Sequence, residues 1–186
     1  MKKYLVFIGI ILIAIACSKD SDSKEEMPFF SLLTLSGTSI DTVRNAADVW
    51  EYGFRFKTLQ SGRITKLGIK VPAVSTFKVK LYDLTTQKIL KETDIQSTKE
   101  GNAFFADIAD ISVNSGDEFG VAIVADVFFR VRNLSGEAFS FPILKDNISI
   151  VSFNENACGP NGCSSFPILT NDQVIAPCVD IVFVKD

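Results

Sequence analysis

Trp50-Glu51-Tyr52-Gly53-Phe54-Arg55-Phe56-Lys57 alternates aromatic rings with charged residues or glycine. Successive side chains of an extended strand point to opposite faces, so the rings fall on one side and the charges on the other. The stretch predicts a strand whose ring face, Trp50 included, is core. The same period of two recurs nearby. Leu67, Ile69 and Val71 alternate with Lys66, Gly68 and Lys70, and Phe77, Val79 and Leu81 alternate with Lys78, Lys80 and Tyr82. Turn-forming residues separate these runs at Ser61-Gly62, Pro72 to Ser75 and Thr85-Thr86-Gln87.

Further along, Phe119 to Ala125 is apolar on both faces and predicts a central strand, introduced by Asn114-Ser115-Gly116-Asp117. Val127, Phe129 and Val131 alternate with Phe128, Arg130 and Arg132 before a turn at Asn133 to Gly136, and Val179, Ile181 and Phe183 supply a closing strand. No stretch after the N-terminal segment carries a helical period of more than about three turns. The expectation is an all-β, antiparallel β-sandwich, jelly-roll or immunoglobulin-like, with one wet face on its sheet. It forms one domain, residues 28–186.

The chain starts differently. Met1-Lys2-Lys3 is basic, and Tyr4 to Ala16 holds only apolar, aromatic or glycine residues. As a helix those residues would span about 20 Å, against the roughly 30 Å of a bilayer core. That layout is a secretory signal rather than a membrane span. Ala14-Ile15-Ala16-Cys17 resembles the bacterial lipoprotein signal, although leucine is more usual at the position of Ala14. The resemblance implies cleavage of residues 1–16 and covalent diacylglycerol and acyl lipid on Cys17. Ser18, which is not aspartate, implies passage to the outer membrane. Ser18 to Glu26 contains no apolar residue, so residues 17–27 are expected to form the lipidated cysteine and a flexible tether. This acidic, lysine-containing run also resembles surface-export signals of Bacteroidota lipoproteins.

Tyr52-Gly-Phe-Arg-Phe, Gly62-Arg-Ile-Thr-Lys-Leu-Gly-Ile, Val79-Lys-Leu-Tyr-Asp, Ser115-Gly-Asp-Glu-Phe-Gly-Val-Ala and Val179-Asp-Ile-Val-Phe occur in that order. Together they resemble a β-sandwich domain of unknown function found in bacterial secreted and cell-surface proteins, sometimes beside carbohydrate-active or adhesive modules. The resemblance runs from about Thr38 to the end and implies a fold and a location, with carbohydrate binding as a secondary expectation. Between Leu134 and Pro177 this chain carries a longer, cysteine-containing segment, so no ligand loop is carried over there.

Composition excludes several classes of function. The chain has no histidine, which removes Ser-His-Asp and Cys-His catalysis and histidine-ligated metals. Without Lys2 and Lys3 there are 17 basic and 22 acidic side chains, a formal charge of −5, which offers no basic face for nucleic acid. Cys158-Gly-Pro-Asn-Gly-Cys163 brackets a turn and is expected to close as a disulfide, the alternative being that Cys178 pairs with either of them; otherwise Cys178 is a buried thiol beside the last strand. Three cysteines without histidine fall short of a structural zinc site. No metal or cofactor is expected, a calcium site on acidic turns being the nearest candidate. Asp107 with Asp110, or Asp117 with Glu118, could serve a glycosidase only if they flanked a cleft.

Ligand contact is expected instead from rings sharing an outward face with charges: Tyr82 with Lys78 and Lys80, and Phe128 with Arg130 and Arg132. A covering loop would remove either set. Asp41-Thr42-Val43 resembles a short O-glycosylation motif of Bacteroidota. The functional expectation is a non-catalytic outer-membrane or surface lipoprotein that binds glycan or an envelope protein. The alternative is a structural or adhesive subunit pairing through edge strands.

Overall fold

The computed structural model describes residues 24–44 and 48–186. The signal segment 1–16 and Cys17 lie outside them. The chain forms β1 (Glu25–Glu26), a 3-10 turn (Phe30–Thr34), β2 (Thr38–Arg44), β3 (Trp50–Thr58), β4 (Gly62–Lys70), β5 (Ser75–Asp83) and β6 (Lys88–Ser97). It continues with β7 (Ala103–Val113), β8 (Glu118–Ala125), β9 (Val127–Asn133), β10 (Ile143–Lys145), β11 (Ile148–Ala157), β12 (Leu169–Thr170) and β13 (Val179–Lys185). Two antiparallel sheets face each other as a β-sandwich. One has the order β1-β13-β4-β7, and the other β10-β11-β3-β8-β5-β6, with β12 beside β11. A separate ribbon pairs β2 with β9.

The alternating runs do what their period dictates. Tyr52, Phe54 and Phe56 from β3, Leu67 and Ile69 from β4, and Val79 and Leu81 from β5 are all buried in one core. In β4 the inward set changes parity, from Ile64 to Leu67 and Ile69. Register shifts against both neighbouring strands between Ile64 and Lys66 or Val182 and Phe183 account for that change. Phe29 inserts between the sheets with its ring 4.3 Å from Phe54. It is fixed there by Asp180, a fully buried carboxylate of β13 that accepts the Phe29 and Phe30 N–H groups at 2.9 and 2.7 Å. The N–H of Ile181 bonds its other oxygen at 2.9 Å. Burial pushes this carboxyl well above the usual carboxylate range, against the opposing pull of the three N–H donors.

Two expectations need correction. The tether was expected to run to Met27, yet Glu25 and Glu26 pair in register with Val184 and Phe183 of β13. Glu26 is buried, and its carboxylate accepts both the Asn147 N–H at 2.9 Å and the Asn147 side-chain amide at 2.6 Å. A polar dipeptide is ordered by an open strand edge and a half-buried hydrogen-bond partner, neither of which composition records.

The second correction concerns the wet face. Glu51, Lys80, Tyr82, Ala122 and Val124 point away from the core cluster, and all are buried. The segment that follows β11, from Cys158 to Phe166, lies over them. Cys158 and Cys163 stand at disulfide-bonding distance with Cα atoms 5.0 Å apart. Cys178 is a free, buried thiol; burial pushes it up to about 12.

Candidate binding site

The covering segment closes on a polar cluster. Lys80 Nζ donates to Glu51 Oε2 at 2.9 Å, to the Cys163 carbonyl at 2.8 Å and to the Asn161 carbonyl at 3.3 Å. The Cys163 N–H donates to Glu51 Oε2 at 2.7 Å, and the Tyr82 hydroxyl donates to Glu51 Oε1. Burial, reinforced by that hydrogen bond, holds the Tyr82 phenol well above its ordinary value. Phe166 packs edge-on against Tyr82 with centroids 5.5 Å apart. Its ring also occupies the place a Cβ of Gly120 would take. Lys80 and Tyr82 were expected on a ligand-facing surface; they are structural, because Glu51 and the Asn161 and Cys163 carbonyls accept their hydrogen bonds beneath the 158–166 segment.

The other predicted residues divide. Lys78 is partly exposed and pairs with Glu92 at 2.5 Å and Asp94 at 3.8 Å. Arg130 forms a two-pronged pair with Asp41, at 2.8 and 2.5 Å. That guanidinium holds the Asp41 carboxyl below the usual range. Arg132 is exposed, as is Thr42 of the glycosylation-like motif. Phe128 turns inward and meets Tyr52 with centroids 5.0 Å apart. The carboxylates considered for glycoside chemistry have ordinary partners. Asp110 pairs with Arg63, Glu118 with Arg55 and Lys57, Asp117 caps the Asn114 N–H, and Asp107 lies opposite Lys66. Among the described residues no three acidic or cysteine side chains converge as a metal site, and no helix is long and apolar enough to cross a membrane.

A different place has the makings of a site. At the end of the sandwich where β3 begins, Trp50, Tyr52, Phe128, Glu155 and Ala176 line a cavity of ≈ 230 Å³. Trp50 stands opposite Ala125 of β8 and Ala157 of β11, and Tyr52 stands opposite Glu155. Ala176 is the one small residue of the lining, and a larger side chain there would fill part of the space. The Tyr52 hydroxyl is spent on the Val127 carbonyl at 3.1 Å. Glu155 receives the Asn171 amide on Oε1 at 3.0 Å. The Trp50 indole N–H, buried in the wall, is the one buried side-chain N or O without a partner among the described residues, and such an orphan group calls for an explanation.

Sequence reasoning assigned Trp50 wholly to the core and overlooked Glu155. The signal was available: Ile150, Phe153, Glu155 and Ala157 face the same side of β11 across its register shift, so a carboxylate interrupts an apolar row. No protein-family model matches the chain, and no curated protein matches it. The family resemblance therefore rests on the motifs quoted above.

Proposed function

We propose that this chain is a non-catalytic, lipid-anchored binding module of the outer membrane or cell surface, and that its ligand is the end group of a glycan held at the mouth of the sandwich. The observation that carries this reading is the ring-lined cavity of Trp50, Tyr52 and Phe128 with Glu155 on its wall. Rings offer apolar faces to the C–H face of a sugar, and a carboxylate accepts hydroxyl protons; few, well-placed polar groups in an aromatic pocket are the general form of a small-ligand site. At ≈ 230 Å³ the space falls below the roughly 300 to 1,000 Å³ of drug-sized sites, which suits one sugar ring. The anchor is supported by Ala14 to Cys17 and the polar run after it.

The test is a glycan array probed with the full-length protein in detergent, beside Trp50→Ala and Cys17→Ser. Signal on a restricted set of glycans, lost in Trp50→Ala and retained in Cys17→Ser, is expected. Fatty-acid labelling in cells is expected to vanish in Cys17→Ser. An array signal indifferent to Trp50→Ala would remove the site, and labelling that survives Cys17→Ser would remove the anchor.

A second reading is favoured by β7. Its eleven residues end the four-stranded sheet, with Phe105 exposed, and an uncovered edge of that length can pair with another chain. Concentration-dependent association, abolished by a proline in β7, would support assembly instead.

A further inference from the structure

We infer that the group seated in the mouth cavity is an organic ammonium, so that the glycan end group is an amino sugar; this rests on the binding reading just given. The lining holds three rings and one carboxylate, and no lysine or arginine. Ring faces carry negative potential and attract cations, more strongly when water is excluded. A carboxylate beside them adds charge of the same sign, which favours a cationic guest and repels an acidic one. Asn171 occupies one oxygen of Glu155, and Oε2 receives no hydrogen bond from the protein among the described residues. An ammonium of the guest would complete it.

The site also reverses the charge sense expected from sequence. Lys78, Lys80, Arg130 and Arg132 would suit an anionic ligand, but Lys80 is sealed beneath the 158–166 segment. Lys78 and Arg130 are paired with carboxylates. None of the four lines this cavity. Asp126 adds further negative charge that bears on Tyr52.

Four probes decide the matter by calorimetry on the full-length protein in detergent: glucosamine, glucose, glucuronate and choline. Glucosamine is expected to bind at least about tenfold tighter than glucose, a difference of about 1.4 kcal/mol. Glucuronate is expected to bind more weakly than either. Glu155→Gln should bring glucosamine and glucose to parity while its unfolding midpoint and Trp50 fluorescence stay close to the parent's. Since the preference is read first in the parent protein, a variant that fails to fold leaves the result standing. Choline binding without sugar binding would uphold the ammonium and overturn the glycan reading. Equal binding of glucose and glucosamine would overturn the ammonium and leave the glycan reading intact. Binding of none of the four, or tighter glucuronate, would overturn the inference.

Discussion

Replacing Lys80 by methionine tests whether the 158–166 segment truly seals the outer face. Lys80 and Glu51 are 3% and 0% exposed at their side chains, and every polar contact they make is internal. Methionine keeps most of the volume but leaves the Glu51 carboxylate buried with only the Tyr82 hydroxyl and the Cys163 N–H. Removing one partner of a buried pair costs about 3–5 kcal/mol, because the remaining charge stays desolvated. For a domain of this size each kcal/mol lowers the midpoint by roughly 2–4 °C, so a fall of about 6–20 °C is expected. Urea unfolding followed through Trp50, the chain's one tryptophan, measures the same loss as free energy. Adding Glu51→Gln to Lys80→Met removes both charges, and glutamine can still accept from Cys163; the double variant is expected to recover more than half the loss. A cost below about 1 kcal/mol for Lys80→Met would show that water reaches the pair. A double variant no better than the single would show that packing, not charge, sets the cost.

Gly162 has φ +75°, and a Cβ there would overlap Glu51 and lie 2.6 Å from Lys80 Nζ; Gly162→Ala is therefore expected to destabilise by more than about 1 kcal/mol in the same urea assay. Cys178, with its thiol near 12, should resist alkylation at pH 8 until the protein unfolds, as mass spectrometry would show. Removing residues up to Met27 deletes β1 and the Glu26–Asn147 bonds and should lower the melting midpoint, whereas removing residues up to Ser23 should not. For Asp180, raised by burial, folding favours the protonated form. Its stabilising contribution is full below the unfolded carboxyl value of about 3.9 and is lost as pH rises through the folded value. Carboxyl-carbon NMR should place its midpoint above about 3.9, and one at or below that value would refute the direction.

Much of the sandwich was legible because a period of two has one structural meaning. The core positions Tyr52, Phe54 and Phe56 of β3, Leu67 and Ile69 of β4, and Phe77, Val79 and Leu81 of β5 followed from alternation, and the doubly apolar run of β8 correctly marked a strand with neighbours on both sides. Alternation reports which residues share a face, though, and is silent about what lies on it. Tyr82 and Lys80 have the pattern of solvent-facing residues, and only the 158–166 segment, distant in sequence, buries them. Gly120 and Gly162 were the available hints, since glycine in or against a strand often marks close approach. The start of the domain was misplaced for a related reason: Glu25 and Glu26 are held by backbone pairing and a distant asparagine, which side-chain polarity does not register. Phe128 alone among the expected ligand residues reached the candidate site, and it did so by facing inward.

The pairing of β1 fixes where the chain enters the sandwich, and with it the direction in which the cavity looks. Glu25 sits against Val184, late in β13, whereas the cavity includes Ala176, just before that strand begins. From Val179 to Val184 the strand climbs about 16 Å, so entry and cavity occupy opposite poles of the molecule. Seven residues, 18–24, separate Cys17 from β1. A lipid on Cys17 would thus join the domain at the end away from the cavity and leave the cavity's mouth clear of the point of attachment.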